Sequence, residues 1–488
     1  MRRLLVALVV PVAVATACSS GTTSTSSGTT ATPTTTVTTT VPPTSAAGST
    51  SSSAGSPTTT AGTPTSTAAP APAAWVTFGS SADRRGFVAT GPDPGAITQA
   101  WSSDQLDGAL YGEPIVSGGR VVVATQHDSV YAFDASTGQP AWNTNLGDPV
   151  PRSALACGNI DPTGITSTPV VDPATDTIYV VAFVQPGRHD LVALNVSDGS
   201  VRWRRPADPP NLNPLYEQQR SALTIGNGRV YIAYGGLFGD CGPYKGAVVS
   251  FALDGSGDPR SWIVPTTREG GLWAPPGPGI DAAGNLFVST GNAESTDPNN
   301  FDDGNAVVRL SPDLQALDVW APADWYALSA RDADLGSVQP VPLDGGRIFT
   351  SGKNGVGYVL DAGNLGGVGK ELAKAMVCNG GAFGGIATNG SLVIVGCSGG
   401  PAGVQVGADA AISVPWHGPG GRSGAPILAG NTVWLVSNGG HLYALDATSG
   451  STQADVDLKT RIPGFPTPTV LGTTVFVPAG DRLVAFTG

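Results

Sequence analysis

Five cysteines, four histidines and one dense acidic run hold most of the reactive side chains in this 488-residue chain. Cys157, Cys241, Cys378 and Cys397 are even in number and widely spaced, the pattern of two disulfides formed in an oxidising compartment. Three pairings are open to them. No CxxC pair suggests zinc, and no CxxCH offers attachment for a c-type haem. His127, His189, His417 and His441 are scattered, with no two at metal-ligand spacing. The acidic run from Asp297 to Asn305 is rich in turn formers and misses the register of an EF-hand loop. There is no Gly-x-Ser-x-Gly elbow, no phosphate-binding Walker loop and no dinucleotide fingerprint. What remains are turns that carry charge, among them Asp332-Ala333-Asp334-Leu335-Gly336 and Gly352-Lys353-Asn354-Gly355. Such turns need a scaffold before they can act together.

The chain opens on an address. Met1-Arg2-Arg3 supplies positive charge, and Leu4 to Ala17 is an apolar run shorter than the roughly 20 residues of a membrane span. It ends in Ala15-Thr16-Ala17-Cys18, which resembles a bacterial lipobox; that resemblance implies acylation of Cys18 and export. Residues 1–18 are therefore expected to be a signal peptide. Residues 19–74 carry no charge and consist almost wholly of Ser, Thr, Ala, Gly and Pro. Such a stretch buries too little apolar surface to offset its ordering entropy, so a disordered tether is expected. The net charge of −12 with no basic stripe argues against nucleic acid and against electrostatic binding to anionic lipid.

From Trp75 onward a different grammar begins, one of short β-branched strands separated by Gly turns. Arg120-Val121-Val122-Val123-Ala124 followed by Val130-Tyr131-Ala132-Phe133-Asp134 is one clear copy. Thr432-Val433-Trp434-Leu435-Val436 followed by Leu442-Tyr443-Ala444-Leu445-Asp446 is another, and the copy around Leu392 to Val406 is degenerate. Copies recur about every 50 residues, the length of a four-stranded propeller blade. The expected fold for residues 75–488 is all-β, an eight-bladed β-propeller of four-stranded antiparallel blades. Closing the ring removes free sheet edges. Within that scheme Cys378 and Cys397 could end neighbouring strands of one blade, which favours the pairs Cys378–Cys397 and Cys157–Cys241.

The strings Tyr131-Ala132-Phe133-Asp134-Ala135-Ser136-Thr137-Gly138, followed by Trp142, and Tyr443-Ala444-Leu445-Asp446-Ala447-Thr448-Ser449-Gly450 resemble the PQQ repeat. That repeat is shared by quinoprotein dehydrogenases and by a barrel-assembly lipoprotein of the outer membrane. In it the Asp and Gly shape a hairpin and the Trp locks neighbouring blades. The family's habit also implies that the segment near Trp75 to Phe78 completes the last blade.

The resemblance to the dehydrogenases is strongest from Gly270 to Asp361. It implies that Trp273 is a floor under the quinone, that Asn292 is a Ca²⁺ ligand, that Lys353 contacts the quinone carbonyls and that Asp334 is the catalytic base. PQQ and Ca²⁺ would then support hydride transfer from an alcohol or sugar. Two departures oppose this. Where the family carries adjacent cysteines, Ala156-Cys157-Gly158 has one, and the stretch Gly235 to Cys241 lacks the family's Glu ligand and offers only Asp240. Without that carboxylate a hard cation loses charge and an oxygen. The expected function is a non-catalytic binding or scaffold module of the cell envelope. It would be held to the membrane only through its N-terminal lipid and would act as a monomer without a cofactor, on an envelope protein or polymer. The alternative is the PQQ- and Ca²⁺-dependent dehydrogenase.

Overall fold

The computed structural model describes residues 74–488; residues 1–73, with Cys18, the leader and nearly all of the expected tether, lie outside that range. Eight sheets follow one another, and in each of them four strands form an antiparallel meander. Blade 1 comprises Ile115–Ser117, Arg120–Ala124, Ser129–Asp134 and Pro140–Asn145, from the innermost strand outward. Blade 2 spans 170–206, blade 3 217–263, blade 4 279–321, blade 5 341–376, blade 6 382–417 and blade 7 427–457. The degenerate copy folds like the rest, because Ile412–His417 supplies the fourth strand of blade 6.

Ring closure differs from the family habit. Blade 8 takes three strands from Thr469–Leu471, Thr474–Pro478 and Leu483–Thr487, and its outer strand is Thr98–Ser102, paired with 484–487. The segment from Trp75 does something else. Trp75 exchanges backbone hydrogen bonds with Val116 of blade 1, and Val76 accepts from Val171 of blade 2. Ala82 accepts from Ile280 of blade 4, Arg85 from Thr388 of blade 6, and Gly86 from Leu428 of blade 7. Inner strands have one unpaired edge each facing the axis; this strap satisfies several of them in turn. Phe78 packs with Ala222 of blade 3 and Ala425 of blade 7, which face each other across an eight-blade ring, so its ring lies on the axis. Arg84 is buried, donating to Thr77 Oγ1 (2.6 Å), to the carbonyls of Phe78 (3.1 Å) and Leu223 (2.9 Å), and to Thr224 Oγ1. Buried Glu113 receives the Trp75 indole N–H (3.2 Å) and the Gly79 amide (2.9 Å).

The repeat strings do the work their pattern implies. Asp134 Oδ1 accepts from the amides of Ser136 and Thr137, and Asp446 Oδ1 from those of Thr448 and Ser449, which pins each turn. Gly138 and Gly450 then adopt φ values of +72° and +71°, a conformation that favours glycine. The missing Cβ also makes room for a tryptophan from the preceding blade: Trp101 covers Gly138, Trp142 covers Gly199, and Trp416 covers Gly450. Their indole N–H groups donate to the carbonyls of Ala135, Val196 and Ala447 respectively. Between blades 1 and 2 the core is mainly aliphatic. Val122, Val130 and Ala132 of blade 1, for example, pack on Ile178, Val180 and Val192 of blade 2. Both expected disulfides are present, Cys157–Cys241 and Cys378–Cys397.

Candidate functional site

In a propeller all innermost strands run the same way along the axis, so the segments that lead into them meet at one end. Several such segments bring a side chain to that mouth. Tyr111 precedes the inner strand of blade 1, Trp273 that of blade 4, Arg422 that of blade 7 and Phe465 that of blade 8, while Arg220 lies in the break of the inner strand of blade 3, between Glu217–Gln218 and Thr224–Gly226. Lys353 comes from the hairpin loop of blade 5, and Phe383 from the inner strand of blade 6. Glycines let the segments approach: a Cβ on Gly291 would stand 3.1 Å from the Gly271 carbonyl, and one on Gly336 2.8 Å from Trp273 Nε1.

All four residues implied by the resemblance converge here. Lys353 Nζ lies 2.7 Å from Asp334 Oδ2, is ion-paired with Asp332, and stands 5.1 Å from the centre of the Trp273 ring. Asn292 Nδ2 donates to Asp332 Oδ1 at 2.8 Å. Burial pushes the Asp334 carboxyl up to about 6, opposed by the charge of Lys353. Burial lowers the Lys353 ammonium, but Asp334 and Asp332 outweigh it and the net shift is upward. A buried ion pair of this kind persists because each partner compensates the other.

Two oxygens in this corner, Asn292 Oδ1 and Asp334 Oδ1, are buried without a hydrogen-bond partner. A calcium ion needs six to eight oxygens. Here Asp334 Oδ2 and Asp332 Oδ1 are held by Lys353, and Asp240 Oδ1 by the Tyr244 hydroxyl at 2.6 Å. Glu217, on the inner edge of blade 3, accepts from the Lys245 amide, and Asp208 is the carboxylate that bears on it. Among the described residues no group of three or more His, Cys, Asp or Glu is placed to hold a metal. The donor set falls short of a calcium shell. Nor is the face of Trp273 clear for a flat quinone, since Lys353 stands over it and Phe383 and Phe465 lie 6.5 and 6.3 Å away, centre to centre. Cys157 does not cap this ring; its disulfide packs with Phe183, Leu215 and Leu237.

Around that corner stands a collar that the sequence alone did not single out. Phe383 and Phe465 are nearly parallel, 6.3 Å apart. The Arg220 guanidinium lies 5.1 Å from Phe465 and 5.5 Å from Tyr111, and Arg422 lies 4.5 Å from Phe383. The signal was positional rather than chemical. Tyr111, Arg422 and Phe465 each stand a few residues ahead of an inner strand, and Arg220 ahead of the inner segment Thr224–Gly226, so superposing the repeats would have placed them together.

Comparison with known proteins agrees with the architecture. A family model described as outer membrane protein assembly factor BamB matches residues 48–237. The serine/threonine-protein kinase AfsK of Streptomyces griseus is 29% identical over 181 residues, 37% of this chain but only 18% of that protein, so the chain spans less than a fifth of that relative. Among solved structures, the quinohemoprotein alcohol dehydrogenase of Comamonas testosteroni matches with a TM-score of 0.64 and 18% identity, over 85% of this chain and 80% of that one. BamB of Moraxella catarrhalis matches with a TM-score of 0.54 and 14% identity, over 80% and 98%. At such identities the likeness shows the fold: this is an eight-bladed propeller of the quinoprotein alcohol dehydrogenase type, built from PQQ-like repeats.

Proposed function

We propose that this protein is a non-catalytic binding module of the cell envelope, one that recognises an envelope protein or polymer at the loop-bearing mouth of its channel. The observation that carries the reading is the state of the Trp273 corner. Lys353 is spent on Asp332 and Asp334 above the indole, while the surrounding collar of half-buried rings and Arg220 is joined by the exposed Arg422. Rings and stacked arginines on a rigid scaffold suit recognition. The leader and Cys18 support export and a lipid anchor on the outer or periplasmic side of the membrane. Among the described residues no helix is long and apolar enough to cross a membrane. The acidic balance speaks against nucleic acid as the partner, and a monomer bearing no cofactor completes the reading.

A second reading, a PQQ- and Ca²⁺-dependent dehydrogenase of alcohols or sugars, draws on the unpartnered Asn292 Oδ1 and Asp334 Oδ1. When bound, PQQ would accept hydride and Ca²⁺ would polarise it. Calorimetric titration of the full-length protein with PQQ, with and without Ca²⁺, separates the two. The binding module predicts no saturable heat. One-to-one binding that requires Ca²⁺ and is lost in Asn292→Ala and Lys353→Ala would overturn it in favour of the enzyme.

A further inference from the structure

The shortfall of oxygens at Trp273 leaves the collar itself to be explained. Its two guanidinium groups stand out in a chain where acids outnumber bases, 37 to 25. Among the described residues neither Arg220 nor Arg422 has a carboxylate partner. Arg220 is half-buried, with one long hydrogen bond of 3.4 Å to the Thr166 carbonyl, and Arg422 is exposed. Two other arginines that reach the interior are more fully engaged: Arg84 makes four hydrogen bonds, and Arg309 meets Asp318 and two carbonyls. Burial without an anion lowers the Arg220 guanidinium to about 10. Burying a charge is unfavourable unless something compensates it.

The shape of the guanidinium defines what that something is. A guanidinium carries its N–H donors in its own plane, and this fork matches the two oxygens of a carboxylate. The Arg220 guanidinium lies over both Tyr111 and Phe465, and that of Arg422 over Phe383. The rings Phe383 and Phe465 join the two forks into one apolar surface with a donor set on either side. Asp332, which shares the corner with Lys353, is exposed and opposes a dense polyanion such as a phosphodiester chain. One or two carboxylates on an apolar or extended backbone fit this charge pattern.

We propose that Arg220 and Arg422, seated on Tyr111, Phe465 and Phe383, form a carboxylate-binding clamp at the channel mouth. The inference rests on the binding-module reading and names the chemistry its partner must present. Two sources can supply that group, a free organic acid or an acidic segment of a partner polypeptide.

The test is calorimetric titration of the full-length protein with benzoate and with an alanine-based peptide carrying two glutamates, against benzamide and the same peptide with glutamines as uncharged controls. Saturable binding of either acid, at least tenfold tighter than its amide, is expected. It should weaken about tenfold or more in Arg422→Gln, an exposed site where folding is not at risk, and in Arg220→Lys, which keeps charge but loses the fork. Arg85→Gln should leave it unchanged. Binding of benzoate alone assigns a free acid; binding of the peptide alone, or much tighter, assigns a polypeptide. The clamp is refuted if neither acid binds, if the amides bind equally well, or if Arg422→Gln binds like the parent. That failure would leave the module reading standing, because the latter falls only on Ca²⁺-dependent PQQ binding.

Discussion

Lys353 and Asp334 form a buried ion pair, Nζ to Oδ2 at 2.7 Å, in which the carboxyl is 2% exposed and keeps one oxygen without a partner. The pair joins the hairpin loop of blade 5 to the turn that leads into the same blade, beside Trp273 of blade 4. Replacing Lys353 by Met strands a buried carboxylate, and a loss of about 3–5 kcal/mol is expected in urea unfolding at pH 8. At pH 4, where Asp334 is protonated in either case, most of that difference should disappear.

Three of the buried carboxyls contribute to the pH response within the range from about pH 4 to pH 8, beside Glu113, which burial also raises. Burial raises Asp334 to about 6, and Asp128 and Glu217 to about 8 each. In the unfolded chain all three ionise near pH 4, so between there and their folded values the native state holds more protons and stability falls as pH rises. Thermal unfolding should therefore show a midpoint that declines from about pH 4 to pH 8 and then levels. Asp128→Asn and Glu217→Gln should each flatten the slope by about 1 kcal/mol per pH unit; a slope unchanged in both variants would contradict the assignment.

The blade-locking tryptophans predict a contrast among glycines that share positive φ. A Cβ on Gly138 would stand 2.5 Å from the Trp101 indole, whereas one on Gly228, at φ +70°, meets nothing within 4 Å. Gly228→Ala should lose only about 1 kcal/mol from backbone strain. Gly138→Ala adds displacement of the indole and should lose about 2–4 kcal/mol. Denaturant unfolding followed by tryptophan fluorescence measures both.

The disulfides should differ in weight. Cys157–Cys241 closes a separation of 84 residues and Cys378–Cys397 one of 19. On loop-closure entropy their removal should lower stability by about 4–5 and about 3 kcal/mol respectively. Paired Cys→Ser variants, compared by chemical unfolding under oxidising conditions, give the ranking.

Arg84 predicts how far the strap contributes. Arg84→Leu removes four hydrogen bonds that tie residues 77–78 to blade 3 and leaves their buried acceptors unpaired. A loss of about 2–5 kcal/mol is expected, together with faster amide exchange at Val171, Ile280 and Leu428, which donate to the strap.

Much of this protein is written locally. The strands, the Asp-Gly turns and the tryptophans that cover them repeat in the sequence because each depends on residues within one copy or on the next. Eight such copies fix a closed ring of blades, since only stacking covers both faces of each sheet. The disulfide pairs were open to three combinations until the blades ordered them. What the sequence could not state was any contact between distant copies. That Thr98–Ser102 closes blade 8 while Trp75–Val88 lines the axis follows from which segment the ring brings beside 484–487, a separation of almost the whole propeller. The resemblance located Trp273, Asn292, Asp334 and Lys353, yet the exchange of salt bridges that binds Lys353 to both aspartates is a matter of side-chain distance. Tyr111, Arg220, Phe383, Arg422 and Phe465 carry no motif at all. They become one surface because eight radial blades direct their inner strands to a single axis, and proximity at that axis exists only in the folded ring.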